Sequence, residues 1–109
     1  MDNHILNQLQ KLNFRSKNDD KVIQDIFSHI QNLNTEFELN PYCLDIDVIK
    51  LLDTTADEFA FFLKSIAHLN DQTSQRRGEQ SLKIIKLCMI LQNKIFDFQN
   101  RKNNRFILN

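Results

Sequence analysis

The chain has 109 residues, a formal net charge of zero, 41% hydrophobic and 26% charged residues, and only one glycine and one proline. This length predicts one domain, residues 1–109, and the composition suits a globular protein with its own core. A single glycine argues against hairpin-rich, dinucleotide-binding and phosphate-loop folds, which need glycine where the backbone turns tightly or approaches a ligand. We therefore expect helices joined by polar loops.

The two cysteines, Cys43 and Cys88, are too few for a disulfide framework and lie beside apolar residues. We interpret them as buried, reduced thiols, which favours a cytoplasmic protein. We expect neither a signal peptide nor a membrane span, because no basic-then-apolar start and no uninterrupted apolar run of sufficient length is present. The many asparagine, lysine and isoleucine residues indicate an AT-rich gene and favour a microbial source.

In the first third of the chain, apolar residues recur at helical spacing. The pattern from Ile5 to Leu12 predicts a short first helix, which Asp2 or Asn3 can cap. A second helix is predicted to start in the capping cluster of residues 16–20. It should end by Leu39, because Pro41 disfavours the α conformation of the preceding residue. Its apolar stripe contains Val22, Ile23, Ile26, Phe27, Ile30 and Leu33.

Two further helices are predicted between Pro41 and Asn70. Asp45 or Asp47 can start a short third helix, and Thr55 with Glu58 matches a capping box that would start a fourth. The predicted third helix contains Ile46, Val48, Ile49, Leu51 and Leu52, and the predicted buried face of the fourth is Phe59, Phe62, Leu63, Ile66 and Leu69. Residues 70–78 are polar and are predicted to form a flexible loop.

Residues 79–101 predict a long fifth helix that is apolar over most of its surface. Two apolar stripes run along it: Leu82, Ile85, Met89, Gln92 and Phe96, and Ile84, Leu87, Cys88, Leu91, Ile95 and Phe98. Such a helix needs neighbours on more than one side. We predict an all-α fold, an irregular bundle of four to five helices with this long C-terminal helix at its centre. Alternatively, a partner or a second copy covers part of it. The apolar residues 106–108 are predicted to dock on the core.

Charges are divided along the chain although they cancel overall. Acids dominate residues 19–58, and bases dominate residues 71–109. Either the two regions neutralise each other, or each is displayed to a charged partner. The candidate acidic surface for partner binding is Glu36, Glu38, Asp45, Asp47, Asp53, Asp57 and Glu58. The alternative basic surface is Arg76, Arg77, Arg101, Lys102 and Arg105.

The sequence contains no strong motif for catalysis or metal binding. Asp25 and His29 are one helical turn apart, but a catalytic zinc site usually needs three protein ligands. The HExxH, CxxC and GxSxG patterns do not occur. We therefore predict a protein that is not an enzyme and that has no cofactor and no metal site.

The small size and the acidic half favour a cytoplasmic protein-binding module that inhibits or regulates another protein with a basic surface. Immunity-type, antitoxin-type and phage-encoded inhibitors have this profile, because charge steers and fixes such complexes. One alternative is a nucleic-acid-associated accessory protein that uses the basic C-terminal third, where about five phosphate contacts would give weak, salt-sensitive binding. Another is a homodimeric structural or chaperone-like subunit that associates through residues 79–101.

Overall fold

The computed structural model describes residues 4–14, 18–44 and 46–108, with side chains as far as Arg101. The α-helices in this part of the chain are α1 (His4–Lys11), α2 (Asp19–Leu39), α3 (Ile46–Ile66) and α4 (Gln72–Leu108). A short 3₁₀ helix (Pro41–Cys43), which we call the connecting turn, joins α2 to α3. No strand occurs among the described residues, and the predicted all-α bundle with a long C-terminal helix is confirmed.

α1 and α2 form where the sequence predicts them. α2 ends at Leu39, as expected from Pro41, and the Asn40 amide bonds the Glu36 carbonyl at this end (2.9 Å). The Asn40 side chain then accepts the Tyr42 amide and so starts the connecting turn. The caps predicted at Asp2, Asn3 and residue 16 lie outside the described residues.

Phe14, in the connection between α1 and α2, has a φ of 63°. This left-handed conformation is unfavourable for a bulky side chain, because its Cβ crowds the backbone. The Phe14 ring stacks on Phe62 with centroids 3.7 Å apart and meets the edge of Phe59 at 5.8 Å. These aromatic contacts hold the connection against α3 and compensate for the backbone strain.

One helix replaces the predicted third and fourth helices. α3 runs without a break from Ile46 to Ile66, so the capping box predicted at Thr55 and Glu58 is wrong. The Thr55 hydroxyl is buried and donates to the Leu51 carbonyl in its own helix at 2.7 Å. A threonine that satisfies its hydroxyl in this way can remain inside a helix, so burial of α3 outweighs the local capping signal.

α4 begins inside the predicted loop, at Gln72 instead of Glu79. Asp71 caps it, since its carboxylate accepts the Ser74 amide at 2.9 Å and the Ser74 hydroxyl at 2.7 Å. At a rise of about 1.5 Å per residue, α4 spans most of the 58 Å length of the molecule. No helix in the described part, α4 included, is both long and apolar enough to cross a membrane. The predicted docking of residues 106–108 concerns side chains outside the described ones.

The two stripes of α4 have different environments. Ile84, Cys88, Leu91 and Ile95 are at most 2% exposed and pack in the core, whose other members come from α1, α2, α3 and the residue after the connecting turn. The other stripe is divided: Ile85 is half-buried against the core and Gln92 is half-buried, whereas three large members are about half exposed, Leu82 (51%), Met89 (53%) and Phe96 (48%). The neighbours within the chain therefore cover the first stripe and leave these three residues of the second accessible.

The cysteines differ from each other. Cys88 is buried as predicted, and this burial, followed by the charge of Asp53, raises the pKa of its thiol to about 12. Cys43 is exposed, so the prediction of two buried thiols is wrong for it. It lies in the connecting turn, where its thiol contacts the Glu36 carbonyl at 3.5 Å.

Substitution in each stripe of α4 should distinguish their roles. We expect Leu91→Ala to lower the free energy of unfolding by about 2–5 kcal/mol, because Leu91 is fully buried and its removal leaves a cavity. The matched variant Leu82→Ala should cost less than about 1 kcal/mol, because half of that side chain is already in water. Urea denaturation followed by circular dichroism at low protein concentration measures both, and equal losses would contradict the assignment of the stripes.

Gly78 lies inside α4, close to α3. An added Cβ would be 3.7 Å from both the Ile66 and Leu63 methyl groups, which is an ordinary van der Waals distance. We expect Gly78→Ala to raise the free energy of unfolding by about 0.5–1 kcal/mol, because alanine favours the helix and restricts the unfolded chain. Thermal denaturation measures the change, and a destabilised variant would mean that the helices cannot accommodate a methyl group here.

Candidate protein-binding surface

The predicted acidic residues do not form one continuous surface. Glu36 and Glu38 lie in the last turn of α2 and Asp47 in the first turn of α3, so these three flank the connecting turn. The remaining acids on α3 lie further from that turn, by about 1.5 Å for each residue of helix. These are Asp53, Asp57 and Glu58. The last predicted member, Asp45, lies outside the described residues.

Large apolar side chains are exposed around the same turn. Leu39 is 82% exposed at the end of α2, Tyr42 is 69% exposed in the connecting turn, and Ile46 is 63% exposed at the start of α3. Exposed apolar clusters with a polar rim are characteristic of protein-binding surfaces, in which aromatic anchors carry much of the affinity. We call this surface the corner patch, and we define it as Leu39, Tyr42 and Ile46 with the carboxylates of Glu36, Glu38 and Asp47.

Tyr42 is held in position by its neighbours. Its ring meets the edge of Phe98 of α4 at a centroid distance of 5.0 Å, and Phe98 in turn meets Phe37 of α2 at 6.1 Å. The Tyr42 amide donates to the Asn40 side chain at 3.1 Å. An aromatic side chain fixed in this way loses little conformational freedom when a partner covers it, which favours binding.

The charge of the corner patch is partly compensated from within the chain. The Lys94 ammonium donates to the Glu38 carboxylate at 3.0 Å and to the Asn34 side chain at 3.0 Å. The hydrogen bond from Lys94 and its charge lower the pKa of Glu38. Glu36 is exposed and Asp47 is half-buried. The patch therefore keeps a negative rim at neutral pH, although Lys94 compensates part of it.

The predicted basic surface is not displayed as a unit. Arg77 is 3% exposed and pairs with Asp20, so its assignment to a displayed surface is wrong. Arg76 is exposed but also pairs with Asp20, at 3.3 Å. Arg101 lies about 37 Å further along α4, given the rise of a helix. The side chains of the remaining two members, Lys102 and Arg105, lie outside the described ones.

Asp20 joins the first turn of α2 to the first turns of α4. Gln80 donates to the Asp20 carboxylate at 3.0 Å, and Arg77 donates both to Asp20 and to the Gln80 side-chain oxygen Oε1, the latter at 3.1 Å. The hydrogen bond from Gln80, then that from Arg77 and the charges of Arg77 and Arg76, lower the pKa of Asp20 against the opposing effect of partial burial. These contacts join α2 to α4, so the charges of Asp20 and Arg77 stabilise the fold.

The predicted pair of Asp25 and His29 gains a third member from α1. His4 donates to the Asp25 carboxylate, and its ring lies 4.9 Å from that of His29. Gln8 donates to the same carboxylate at 2.7 Å. These hydrogen bonds, that of His4 first, lower the pKa of Asp25. A search of the described residues finds no group of three or more ligands that could hold a metal.

A cleft of about 350 Å³ lies between α3 and the connection from α1 to α2. Glu58 is the acidic residue among the described residues of its lining, which places this carboxylate away from the corner patch. The other lining residues are Asn13, Phe14, Phe61, Phe62, Ser65, Ile66, Leu69 and Ser74. The cleft is mainly apolar.

The periodicity of the sequence did not identify the apolar members of the corner patch. Leu39 lies two residues after Phe37, whereas the buried stripe of α2 recurs every three or four residues. This spacing was the signal in the sequence that Leu39 is outside the buried stripe. Tyr42 follows Pro41 and so belongs to no α-helix. Ile46 is the first residue of α3 and is exposed.

Comparison of the chain with protein-family models, with curated proteins and with solved structures finds no match. The surfaces described above are therefore the observations that bear on function.

The pH dependence of stability should report the Asp20 cluster. Because the folded pKa of Asp20 is below its ordinary value of 3.8, its ionised form stabilises the fold above that value, and this contribution is lost as the pH falls through the folded pKa. We expect Asp20→Asn to lower the free energy of unfolding at pH 7 by about 2 kcal/mol, since the buried Arg77 loses its counter-charge. The variant should also lose less stability than the wild type between about pH 4 and pH 2.

The matched control is Asp57→Asn, which changes an exposed acid in the middle of α3. It should change the free energy of unfolding by less than about 0.5 kcal/mol. Denaturant titrations from pH 7 to pH 2 compare the three proteins. If the curves of wild type and Asp20→Asn run parallel, the Asp20 cluster does not contribute to acid stability.

Proposed function

We propose that this chain is a small protein-binding module that inhibits or regulates a partner protein by docking through the corner patch. The exposure of Leu39, Tyr42 and Ile46 beside a carboxylate rim carries this proposal. Burying side chains of this size yields about 1.5–3 kcal/mol each, so a few anchors can support a specific complex. The proposed class includes immunity-type, antitoxin-type and phage-encoded inhibitors, which act by covering a functional surface of their target.

The rim of the corner patch indicates the chemistry of the partner. Glu36, Glu38 and Asp47 favour a surface that carries lysine or arginine around an apolar pocket, because opposite charges steer the encounter and suppress wrong partners. The fixed position of Tyr42 against Phe98 suits insertion into such a pocket. We therefore propose a basic protein as the target, with Tyr42 as the central anchor.

Nucleic-acid binding by the C-terminal third is a weaker proposal. Arg77 is buried, Arg76 is paired with Asp20, and Arg101 is distant from both along α4. A phosphate backbone would therefore meet few adjacent cations from the described side chains, whereas affinity for nucleic acid depends on the number of phosphates neutralised.

Affinity capture with matched variants tests the corner patch. The bait is the tagged full-length chain, incubated with nuclease-treated extract of the organism that encodes it, and captured proteins are identified by quantitative mass spectrometry. Tyr42→Ala and, separately, Glu36→Lys combined with Asp47→Lys should each reduce capture of the partner by about tenfold or more, through loss of an anchor and loss of charge attraction. Phe61→Ala, which truncates a 73% exposed side chain that lines the cleft, is the control and should retain capture.

A partner that all variants capture equally well would contradict docking through the corner patch. A partner that is captured from a parallel untreated extract but not from the nuclease-treated one would instead favour the nucleic-acid alternative. Capture by the wild type should also weaken as salt rises, because the carboxylate rim contributes through screened charges.

A further inference from the structure

The outer face of α4 carries a second apolar surface, which is separate from the corner patch. Leu82, Met89 and Phe96 recur every seven residues, so they lie on one face of the helix, and each is about half exposed. We call these three residues the outer stripe. Ile85 lies beside them and is half-buried. A seven-residue apolar repeat is the pattern by which one helix packs along another, so the outer stripe suits a helix as its occupant.

A row of alternating character runs about a quarter turn around α4 from the outer stripe, and the exposed residues Lys86 and Asn93 lie between the two. Lys83, Ile90 and Asp97 each follow a member of the outer stripe by one residue, and all three are exposed, with Ile90 51% exposed. The row has a base at one end, an apolar residue in the middle and an acid at the other end. In a second α4 that runs antiparallel to the first, the base and the acid of this row therefore exchange ends.

This exchange makes the face complementary to itself. If a second α4 runs antiparallel with the twofold axis between Met89 and Ile90, Lys86 of each copy lies opposite Asn93 of the other. Lys83 then lies within one residue of the level of Asp97 of the other copy, and Leu82 within one residue of the level of Phe96, an offset of about 1.5 Å. In the same pairing, the exposed Glu79 of each copy lies within one residue of the level of the exposed Arg101 of the other. Opposite charges thus meet on the flank while apolar side chains meet along the stripe.

A parallel pairing would not have this property. In a parallel twofold pairing one flank of a helix faces the opposite flank of the other, so Lys83 and Asp97 would meet the apolar outer stripe and would have no partner of opposite charge. The charges therefore select one orientation of the second copy.

We propose that a second copy of this chain covers the outer stripe, in an antiparallel twofold pairing of α4 centred at Met89 and Ile90. All residues of this interface lie on α4, so the dimer does not depend on the function proposed for the corner patch. The contact extends over residues 79–101, about 33 Å of helix.

A charge-swap cycle tests the pairing. Lys83→Asp and Asp97→Lys should each raise the dimer dissociation constant by about tenfold or more, because each creates two repulsive contacts per dimer. The double variant Lys83→Asp with Asp97→Lys restores opposite charges and should return the constant to within about threefold of the wild type. Lys21→Asp, an exposed position on α2, is the control and should leave it unchanged. Sedimentation velocity over a range of concentrations measures the constant, and circular dichroism verifies that each variant is folded.

Disulfide trapping tests the orientation in a Cys43→Ser background. Met89→Cys should cross-link under mild oxidation, because its two copies meet at the axis, whereas Leu82→Cys should not, because its counterpart is Phe96. Cross-linking of both variants would indicate a parallel dimer and overturn the proposal. A wild type that stays monomeric at all concentrations would also overturn it and would assign the outer stripe to a different partner.

Discussion

The burial of one stripe of α4 is the constraint on which the rest of the structure depends. Ile84, Cys88, Leu91 and Ile95 are almost inaccessible, and they position α4 along the length of the molecule. Once these residues face inward, the 3.6-residue period of the helix turns the seven-residue repeat of Leu82, Met89 and Phe96 outward. The exposed face of α4 is therefore a consequence of how the core is packed, and a helix with two apolar stripes in a chain of this size has too few neighbours to cover both.

The burial of one side of α4 also determines how the charges of the Asp20 cluster are used. Arg77 and Ser81 extend the buried side of α4 toward its N-terminus, and a buried guanidinium needs a counter-charge and hydrogen bonds. Asp20 and Gln80 provide them, and Ser81 satisfies its hydroxyl on the Arg77 carbonyl at 2.7 Å. Part of the charge of the predicted basic surface, on Arg76 and Arg77, is thus used to join α2 to α4. The acids around the connecting turn, which are not needed for this purpose, form the rim of the corner patch.

The two surfaces differ in the physical properties that indicate their partners. The corner patch combines a fixed aromatic side chain with one sign of charge, so it suits a different molecule that carries the opposite sign. The outer stripe lies beside a base and an acid at symmetric positions, so it suits a second copy of itself. A binding module that dimerises through one face and binds its target through another would present two target sites per assembly, which raises the effective affinity for a multivalent partner.

How much of this could be predicted differs from element to element. Periodicity located α1 and α2, and Pro41 identified the end of α2, because both signals act within a few residues. The continuity of α3 through Thr55 was not predictable in the same way, since a capping residue and a buried mid-helix threonine have the same local sequence. The start of α4 had a local signal, because Asp71 is a capping residue that accepts the Ser74 amide. The polar residues around it are equally typical of a loop, so the cap was not predicted.

The sequence by itself determined the helical class and the two apolar stripes of the long helix. Its single glycine also argued against motifs that need several glycines. Composition and periodicity are local properties, so they do not depend on how the helices pack. Only the tertiary structure decided which stripe is buried and whether Arg77 is a surface charge or an internal one. Its partner Asp20 is 57 residues away in the chain. Contacts over such separations depend on how whole helices pack, so no local pattern could assign them.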